Sequence, residues 1–184
     1  MKTILAFDTA TSFGAVCAVS TGASGSNPRA GDVLAVVDEV VDDLAAIEGI
    51  VVGRGPGSFT SIRIGLATAR ALSLTLGIPV AGASTLDAYD DGLSVLDARR
   101  NEVFTVGPRV CRPEELDVGG KTLVGDGAVR YRELFERRGA EIPPDDDPRH
   151  VPSPFLLIER AGPFGAAELV EPLYVRDPDA KPSR

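Results

Sequence analysis

Residues 51–77 read VVGRGPGSFTSIRIGLATARALSLTLG, and this stretch decides the fold. A short apolar strand enters a glycine-rich turn, which leads into a predicted helix over residues 59–76. Ser58 occupies the N-cap position and Gly77 the C-cap position. Apolar side chains surround most of the helix, so it must be covered on more than one side. The pattern predicts either a central core helix or a helix shared between the core and a partner.

The glycine-rich turn GRGPGSFT is a candidate anion site. Backbone amides at a helix N-terminus attract anions, and the glycines permit a tight turn. However, the turn lacks the G-K-[ST] ending of a P-loop, and its GxGxG spacing differs from the GxGxxG of dinucleotide folds. Gly55, Gly57 and Ser58 are therefore interpreted either as residues near a bound anion or nucleotide, or as a structural turn with a helix cap.

A second polar turn, DTATS at residues 8–12, lies between two predicted strands. An aspartate there can hold Mg²⁺ through water, and hydroxyls beside it can face phosphates. The same aspartate can instead stabilise the turn through its own backbone. Asp8 and Thr9 join the nucleotide-proximal candidates, with the structural alternative left open.

The order of predicted elements indicates an α/β fold. Strands over residues 3–7 and 14–19 precede an amphipathic helix over 32–44, and strands over 46–52 and 78–81 flank the apolar helix. This alternation predicts a mixed or parallel sheet. The second half has shorter strands and helices and ends in a polar tail. We therefore predict two lobes, residues 1–86 and residues 87–184 with the tail.

Composition restricts the function classes. The chain has 184 residues and a net charge of −8, which opposes direct binding to a phosphate backbone. Its single histidine, His150, is expected at the surface and excludes a paired-histidine metal site, so no metal is predicted. Neither a signal peptide nor a run of about 18 apolar residues is found, which predicts a cytoplasmic protein without membrane contact.

Five blocks of the sequence resemble the TsaB family, formerly YeaZ. They are MKTILAFDTATSFGAVCAV, GRGPGSFTSIRIGLATARALSLTLGIPVAGASTLDA, VLDARRNEVF, LVGDGA and PLYVR, in family order. The resemblance implies a two-lobed actin-like, sugar-kinase-like fold (ASKHA, ribonuclease H-like) with mixed sheets flanked by helices. Two departures are a short segment between Val19 and Asp32, and Thr60-Ser61 where the family often has Thr-Gly.

The resemblance also implies a function. Family members are non-catalytic subunits that bind and activate the TsaD-type subunit, which threonylcarbamoylates adenosine 37 of tRNA. This implies no catalytic residues, no protease activity and no intrinsic cofactor, with ATP or ADP only at the interface of the complex. Further partners implied are a TsaE-type ATPase, a second copy of the chain in isolation, and tRNA only indirectly. The alternative is a stand-alone nucleotide-dependent phosphotransferase of the same superfold.

In the family, the helix after GPGSFT and the helix before it form the partner interface. The residues that this places at the interface here are Val33, Val37, Val40, Phe59, Ile62, Arg63, Gly65, Leu66, Ala69 and Arg70. If the small-residue seam of Gly65 and Ala69 faces the partner, Gly65→Arg or Ala69→Glu leaves a folded monomer that cannot associate. If the seam is core, the same changes unfold the protein.

Overall fold

The first of two sheets has five strands and carries the first lobe. The computed structural model describes residues 2–176, so the predicted polar tail, residues 177–184, lies outside the described residues. The strands are β1 (Ile4–Asp8), β2 (Ala15–Val19), β3 (Ser24–Asn27), β4 (Gly49–Gly53) and β5 (Val80–Ala83), in the order β3-β2-β1-β4-β5. β1 pairs antiparallel with β2 and parallel with β4, and β5 is parallel to β4. The sheet is mixed, as predicted.

Two helices cover one face of this sheet. α1 (Val33–Val40) and α2 (Phe59–Leu76) contribute buried apolar side chains to one cluster with Leu5, Phe7 and Val52. α2 begins at the Ser58 cap and ends at Gly77, whose φ of 69° closes the helix in the left-handed conformation. Both predicted ends of α2 are confirmed.

The second sheet has four strands and carries the second lobe. Its strands are β6 (Leu93–Asp97), β7 (Val103–Thr105), β8 (Arg109–Cys111) and β9 (Leu123–Val124), in the order β8-β7-β6-β9. α3 (Asp126–Arg130) and α4 (Arg132–Arg137) follow β9. Phe135 of α4 is fully buried among Val95, Leu123 and Ala128, so the second lobe has its own core.

A fifth helix returns the chain to the first sheet. α5 (Pro154–Glu159) contacts β1, β2 and β4, and its Leu157 packs with Ala6 and Val51 on the face opposite α1 and α2. The predicted division into residues 1–86 and 87–184 falls between β5 and β6. α5 belongs to the second of these ranges but packs on the first sheet. Whether the two ranges are separate folding domains stays a prediction.

Three local predictions were wrong or incomplete. The glycine- and serine-rich residues 21–31, whose composition is typical of a loop, contain β3, which pairs along β2 through its backbone. The helix predicted over residues 32–44 ends at Val40. The strand β8 and the helix α5 were not predicted, because each is too short to show a clear hydrophobic period. Among residues 2–176, no helix combines the length and hydrophobicity needed to cross a membrane.

Candidate functional site

A cleft separates the two lobes, with a cavity of about 370 Å³. Its walls come from the DTATS turn (residues 8–12), the start of α2, the end of β6, the start of α3 and a C-terminal segment, residues 173–176. The candidate nucleotide residues were predicted only in the DTATS turn and in the turn before α2, and of these residues Gly57 and Ser58 line the cavity.

Asp8 does not face the cleft. Its Oδ1 accepts a hydrogen bond from the Ala10 amide at 2.6 Å, and its Oδ2 accepts one from the Thr85 hydroxyl at 2.6 Å. Gly53 packs so closely that a Cβ there would lie 1.8 Å from Oδ2. The side chain is fully buried, and this burial raises the pKa of its carboxyl. Asp8 joins three strand ends and is not placed to hold a metal.

The amides of the glycine-rich turn are largely bonded within the chain. Ser58 N donates to Ala10 O at 2.8 Å, and Gly55 N donates to the Thr85 hydroxyl at 3.1 Å. The Ser58 hydroxyl accepts from Ser61 N at 3.4 Å as the helix cap. Gly57 and Ser58 line the cavity, yet the Gly55 and Ser58 amides are already used. For Gly55 and Ser58, these bonds agree with the alternative of a structural turn followed by a helix cap.

Asp126 crosses the cleft. Its Oδ2 accepts a hydrogen bond from the Ser12 amide of the first lobe, and its Oδ1 accepts one from the Asp97 amide of the second lobe, both at 2.9 Å. Asp97 in turn faces Arg99 at 3.4 Å and Arg130 at 3.5 Å. One carboxylate therefore holds both lobes. Sequence reasoning missed this role, although the residue lies in the quoted block LVGDGA.

The C-terminal segment also spans the cleft. Leu173 N donates to Arg54 O in the first lobe at 2.7 Å, while Arg176 donates to Ala98 O in the second lobe at 3.2 Å and pairs with Glu102. Between them, the Tyr174 ring stacks on Phe59 with 5.0 Å between centroids. The cleft is thus bounded by contacts that the chain makes with itself.

The DTATS turn also contacts α2. The Thr9 hydroxyl donates to Ser61 O at 2.7 Å, and a Cβ at Gly65 would lie only 2.6 Å from the same hydroxyl oxygen. Thr9 is fully buried. A glycine at position 65 is therefore required for the helix to approach the turn this closely.

Most of the predicted interface residues are core residues. Seven of them are buried against the first sheet: Val33, Val37, Val40, Ile62, Gly65, Leu66 and Ala69. The apolar stripe of each helix faces its own sheet, so these side chains cannot themselves contact a partner in this conformation. Arg63 and Arg70 are exposed and Phe59 is half-buried. The interface role of these residues stays a prediction, and Phe59, Arg63 and Arg70 are the ones among them that reach the surface here.

The name outer helix face is used here for four exposed apolar side chains, Leu34 on α1 and Ala67, Ala71 and Leu74 on α2. Leu74 is 87% exposed and Leu34 is 55% exposed. Ala67 and Ala71 are exposed one turn apart on α2, and Leu74 follows them on the same side. Arg70, beside them, donates to Val170 O at 3.1 Å. This face combines two small side chains with two large apolar ones, and residues 2–176 leave all four exposed.

The prediction that His150 lies at the surface is wrong. The ring is fully buried, its Nδ1 accepts from Gly125 N at 3.2 Å, and its Nε2 lies 3.1 Å from Pro143 O. With Nδ1 as acceptor, Nε2 carries the proton and donates to that carbonyl. His150 supports the turn before α3. Within residues 2–176, no cluster of three or more His, Cys, Asp or Glu side chains could hold a metal ion.

The two mixed sheets flanked by helices, with a bridged cleft between them, define a two-lobed α/β protein of the actin-like class. A family model described as TsaD, tRNA N6-adenosine threonylcarbamoyltransferase, matches residues 33–135. The tRNA threonylcarbamoyladenosine biosynthesis protein TsaB of Haemophilus influenzae is 25% identical over 232 residues, covering 95% of this chain and 94% of its own. The chain belongs to the TsaB (YeaZ) family. The predicted family and the predicted actin-like fold are confirmed.

The chain is also similar to two further proteins. An uncharacterised protein of Mycobacterium tuberculosis is 38% identical over 165 residues, which cover 82% of this chain and 74% of that protein. The crystal structure of a Pseudomonas aeruginosa protein with similarity to peptidase YEAZ has a TM-score of 0.74 at 26% identity, covering 96% of this chain and all of that one. The alignment with the Haemophilus protein is longer than this chain, so that relative has segments without a counterpart here.

Proposed function

We propose that this chain is a non-catalytic subunit that binds and activates a TsaD-type catalytic subunit, which threonylcarbamoylates adenosine 37 of tRNA. The observation that carries the proposal has two parts. Polar groups of the cleft form hydrogen bonds with one another, and residues 2–176 leave the outer helix face exposed. Asp8 is buried away from the cleft and the Ser12 amide donates to Asp126, so these two candidate contacts for a metal-bound phosphate are already engaged. Membership of the TsaB family supports the choice of tRNA threonylcarbamoyladenosine biosynthesis as the process.

The outer helix face is the proposed contact with the TsaD-type subunit. Small side chains at Ala67 and Ala71 let another helix approach closely, and Leu34 and Leu74 supply apolar area at the margins. In the absence of the catalytic subunit, a second copy of the chain is proposed to cover the same face. A TsaE-type ATPase joins the complex, ATP or ADP binds only at its interface, and tRNA contacts this chain only indirectly. The protein acts in the cytoplasm.

Two measurements test the proposal. Size-exclusion chromatography of the chain with a purified TsaD-type subunit should give one co-eluting peak, in the presence of nucleotide and the TsaE-type subunit if required. A reconstituted assay of threonylcarbamoyladenosine on tRNA should show product only when this chain is added. Absence of co-elution under all of these conditions contradicts the binding role, and full activity without the chain contradicts the activating role.

The stand-alone phosphotransferase is the alternative that the geometry disfavours. It requires a carboxylate in the cleft that can reach metal-bound phosphate, and Asp8 is bonded on both oxygens away from it. Asp97 and Asp126 do face the cavity, but they are held by Arg99, Arg130 and three backbone amides. These contacts favour the proposal of a partner subunit over the phosphotransferase.

A further inference from the structure

We propose that the DTATS turn connects the interlobe cleft to α2, with Asp126 and Thr9 as positioning residues for the helix that meets the partner. The inference rests on the proposed function, because it concerns the affinity for the TsaD-type subunit. It assigns a role to a turn whose polar groups resemble a phosphate-binding turn but are engaged inside the protein.

The first step runs from the cleft to the turn. Asp126 holds the Ser12 amide at 2.9 Å and, through its other oxygen, the Asp97 amide at the end of β6. The second lobe therefore fixes the position of the last residue of the turn. Removing the carboxylate leaves both amides without this acceptor and frees the lobes to separate at this point.

The second step runs from the turn to α2. Ala10 O accepts from Ser58 N at 2.8 Å, at the helix cap, and the Thr9 hydroxyl donates to Ser61 O at 2.7 Å. Gly65 then packs directly on that hydroxyl. The turn thus contacts the first two turns of α2 through a hydrogen bond at the cap, one at a backbone carbonyl, and a close packing contact.

The third step runs along α2 to the outer helix face. Ala67 and Ala71 lie on the exposed side of the same helix, half a turn from Gly65 and further along. A helix behaves as a rigid element, so a shift at its start moves the exposed face relative to Leu34 on α1. Loosening the cleft should therefore weaken a partner that spans both helices, without any change in the contact residues.

A double-mutant cycle measured by calorimetry against the TsaD-type subunit tests this connection. Asp126→Ala alone and Thr9→Val alone should each weaken binding by about fivefold, near the lower end of typical coupling between sites. In the Thr9→Val background, Asp126→Ala should have a smaller further effect, less than about twofold, because the Thr9 hydrogen bond to Ser61 O is already lost and only the Ala10 bond to the helix cap remains. Equal fold-changes in both backgrounds would overturn the proposal.

The controls separate positioning from general destabilisation. Thr105→Val removes a buried hydroxyl-to-carbonyl hydrogen bond of 3.1 Å in the second lobe, and should leave partner affinity unchanged. Thr9→Ser keeps the hydroxyl and should restore wild-type affinity. Asp126→Asn, which keeps one acceptor oxygen, replaces Asp126→Ala if the latter fails to fold. A loss of affinity in Thr105→Val equal to that in Thr9→Val overturns the proposal.

Hydrogen exchange supplies a readout in the chain itself. Asp126→Ala should speed amide exchange at Ser12 and in the first turns of α2, while Thr105→Val should not. Faster exchange at Ser12 with unchanged α2 would contradict the connection. If the wild-type chain does not bind the TsaD-type subunit at all, the proposed function fails, whereas the exchange experiment still decides whether the cleft and α2 are connected.

Discussion

Asp8 shows how the surroundings of a single residue decide its role. A carboxylate after a buried strand is equally consistent with a metal ligand and with a turn-stabilising group, and the sequence contains nothing that separates the two. The distinction depends on Thr85, which is 77 residues away and donates to Asp8 at 2.6 Å. Such a long-range contact is not visible in a local pattern, which is why Asp8 could be located from sequence but not given its role.

We expect Asp8→Asn to change the pH dependence of stability. Folding raises the pKa of Asp8, chiefly through burial, above its ordinary value of about 3.9. Its contribution to stability is therefore fully present below that unfolded pKa and is lost as pH rises through the folded pKa. Asparagine resembles the protonated form of aspartic acid, so the variant should lose less stability than wild type as pH rises from about 4. Between the unfolded and the folded pKa of Asp8, the difference in unfolding free energy should grow by about 1.4 kcal/mol per pH unit.

Urea unfolding at a series of pH values measures this effect. Asp147 provides a control of opposite sign, because hydrogen bonds from Arg149 lower its pKa to about 2. Its contribution is present above its unfolded pKa and is lost as pH falls through the folded one, so Asp147→Asn should alter the slope only below about pH 4. Parallel curves of unfolding free energy against pH for wild type and Asp8→Asn would contradict a raised pKa of the buried Asp8 carboxyl.

Gly65 is a second residue for which the surroundings decide the effect of a substitution. Glycine-to-alanine substitution inside a helix ordinarily stabilises by about 1 kcal/mol. Here the new Cβ would lie 2.6 Å from the Thr9 hydroxyl oxygen, so we expect Gly65→Ala to destabilise by about 1–3 kcal/mol. Gly65→Arg should unfold the protein, in contrast to the folded monomer expected if the seam had faced a partner.

The matched control for Gly65→Ala lies at Ala67, two residues further along the helix. Ala67 is exposed, so Ala67→Gly should cost only the intrinsic preference of about 1 kcal/mol. The two positions should therefore have opposite preferences between glycine and alanine in denaturant unfolding. A stabilising Gly65→Ala would show that the helix does not approach the turn this closely.

At the scale of the element, α2 could be predicted in its limits but not in its orientation. Ser58 and Gly77 mark the ends of the helix by local chemistry, which needs no tertiary information. Its apolar residues extend round most of the circumference, so the hydrophobic period cannot tell which side faces the sheet. The structure assigns Ile62, Leu66 and Ala69 to the sheet and leaves Leu74 exposed.

We therefore expect Leu74→Lys to weaken association while the fold is kept. Leu74 is 87% exposed, so the change removes apolar area only from the complex, and a charge in a buried contact should weaken binding by at least about tenfold. Calorimetry with the TsaD-type subunit measures the affinity, and thermal unfolding confirms the fold. Val106, 47% exposed in the second lobe, gives the matched control Val106→Lys, which should bind as wild type. Equal affinities for the two variants would move the contact away from the outer helix face.

At the scale of the whole molecule, the alternation of strands and helices predicted an α/β protein with mixed sheets, because local hydrophobic periods carry that information. The closure of the cleft could not be predicted the same way. Asp126 reaches Ser12 across 114 residues, and Arg176 reaches Ala98 across 78. These bonds depend on how the lobes sit together, and the return of α5 to the first sheet depends on packing of only six residues.

The closed cleft leads to a prediction for the isolated chain with Mg-ATP. A phosphate that uses the Ser12 amide would have to displace Asp126 from it, and it would bring further negative charge toward Asp97 and Asp126. We therefore expect calorimetry to show no binding up to about 1 mM ligand, the limit of a weak complex. Asp126→Ala tests the cause, since any binding that appears only in this variant identifies the carboxylate as the competitor. Saturable binding by the wild-type chain, abolished by Asp8→Ala in a variant that remains folded, would instead support the phosphotransferase and remove the argument that the cleft is closed to nucleotide.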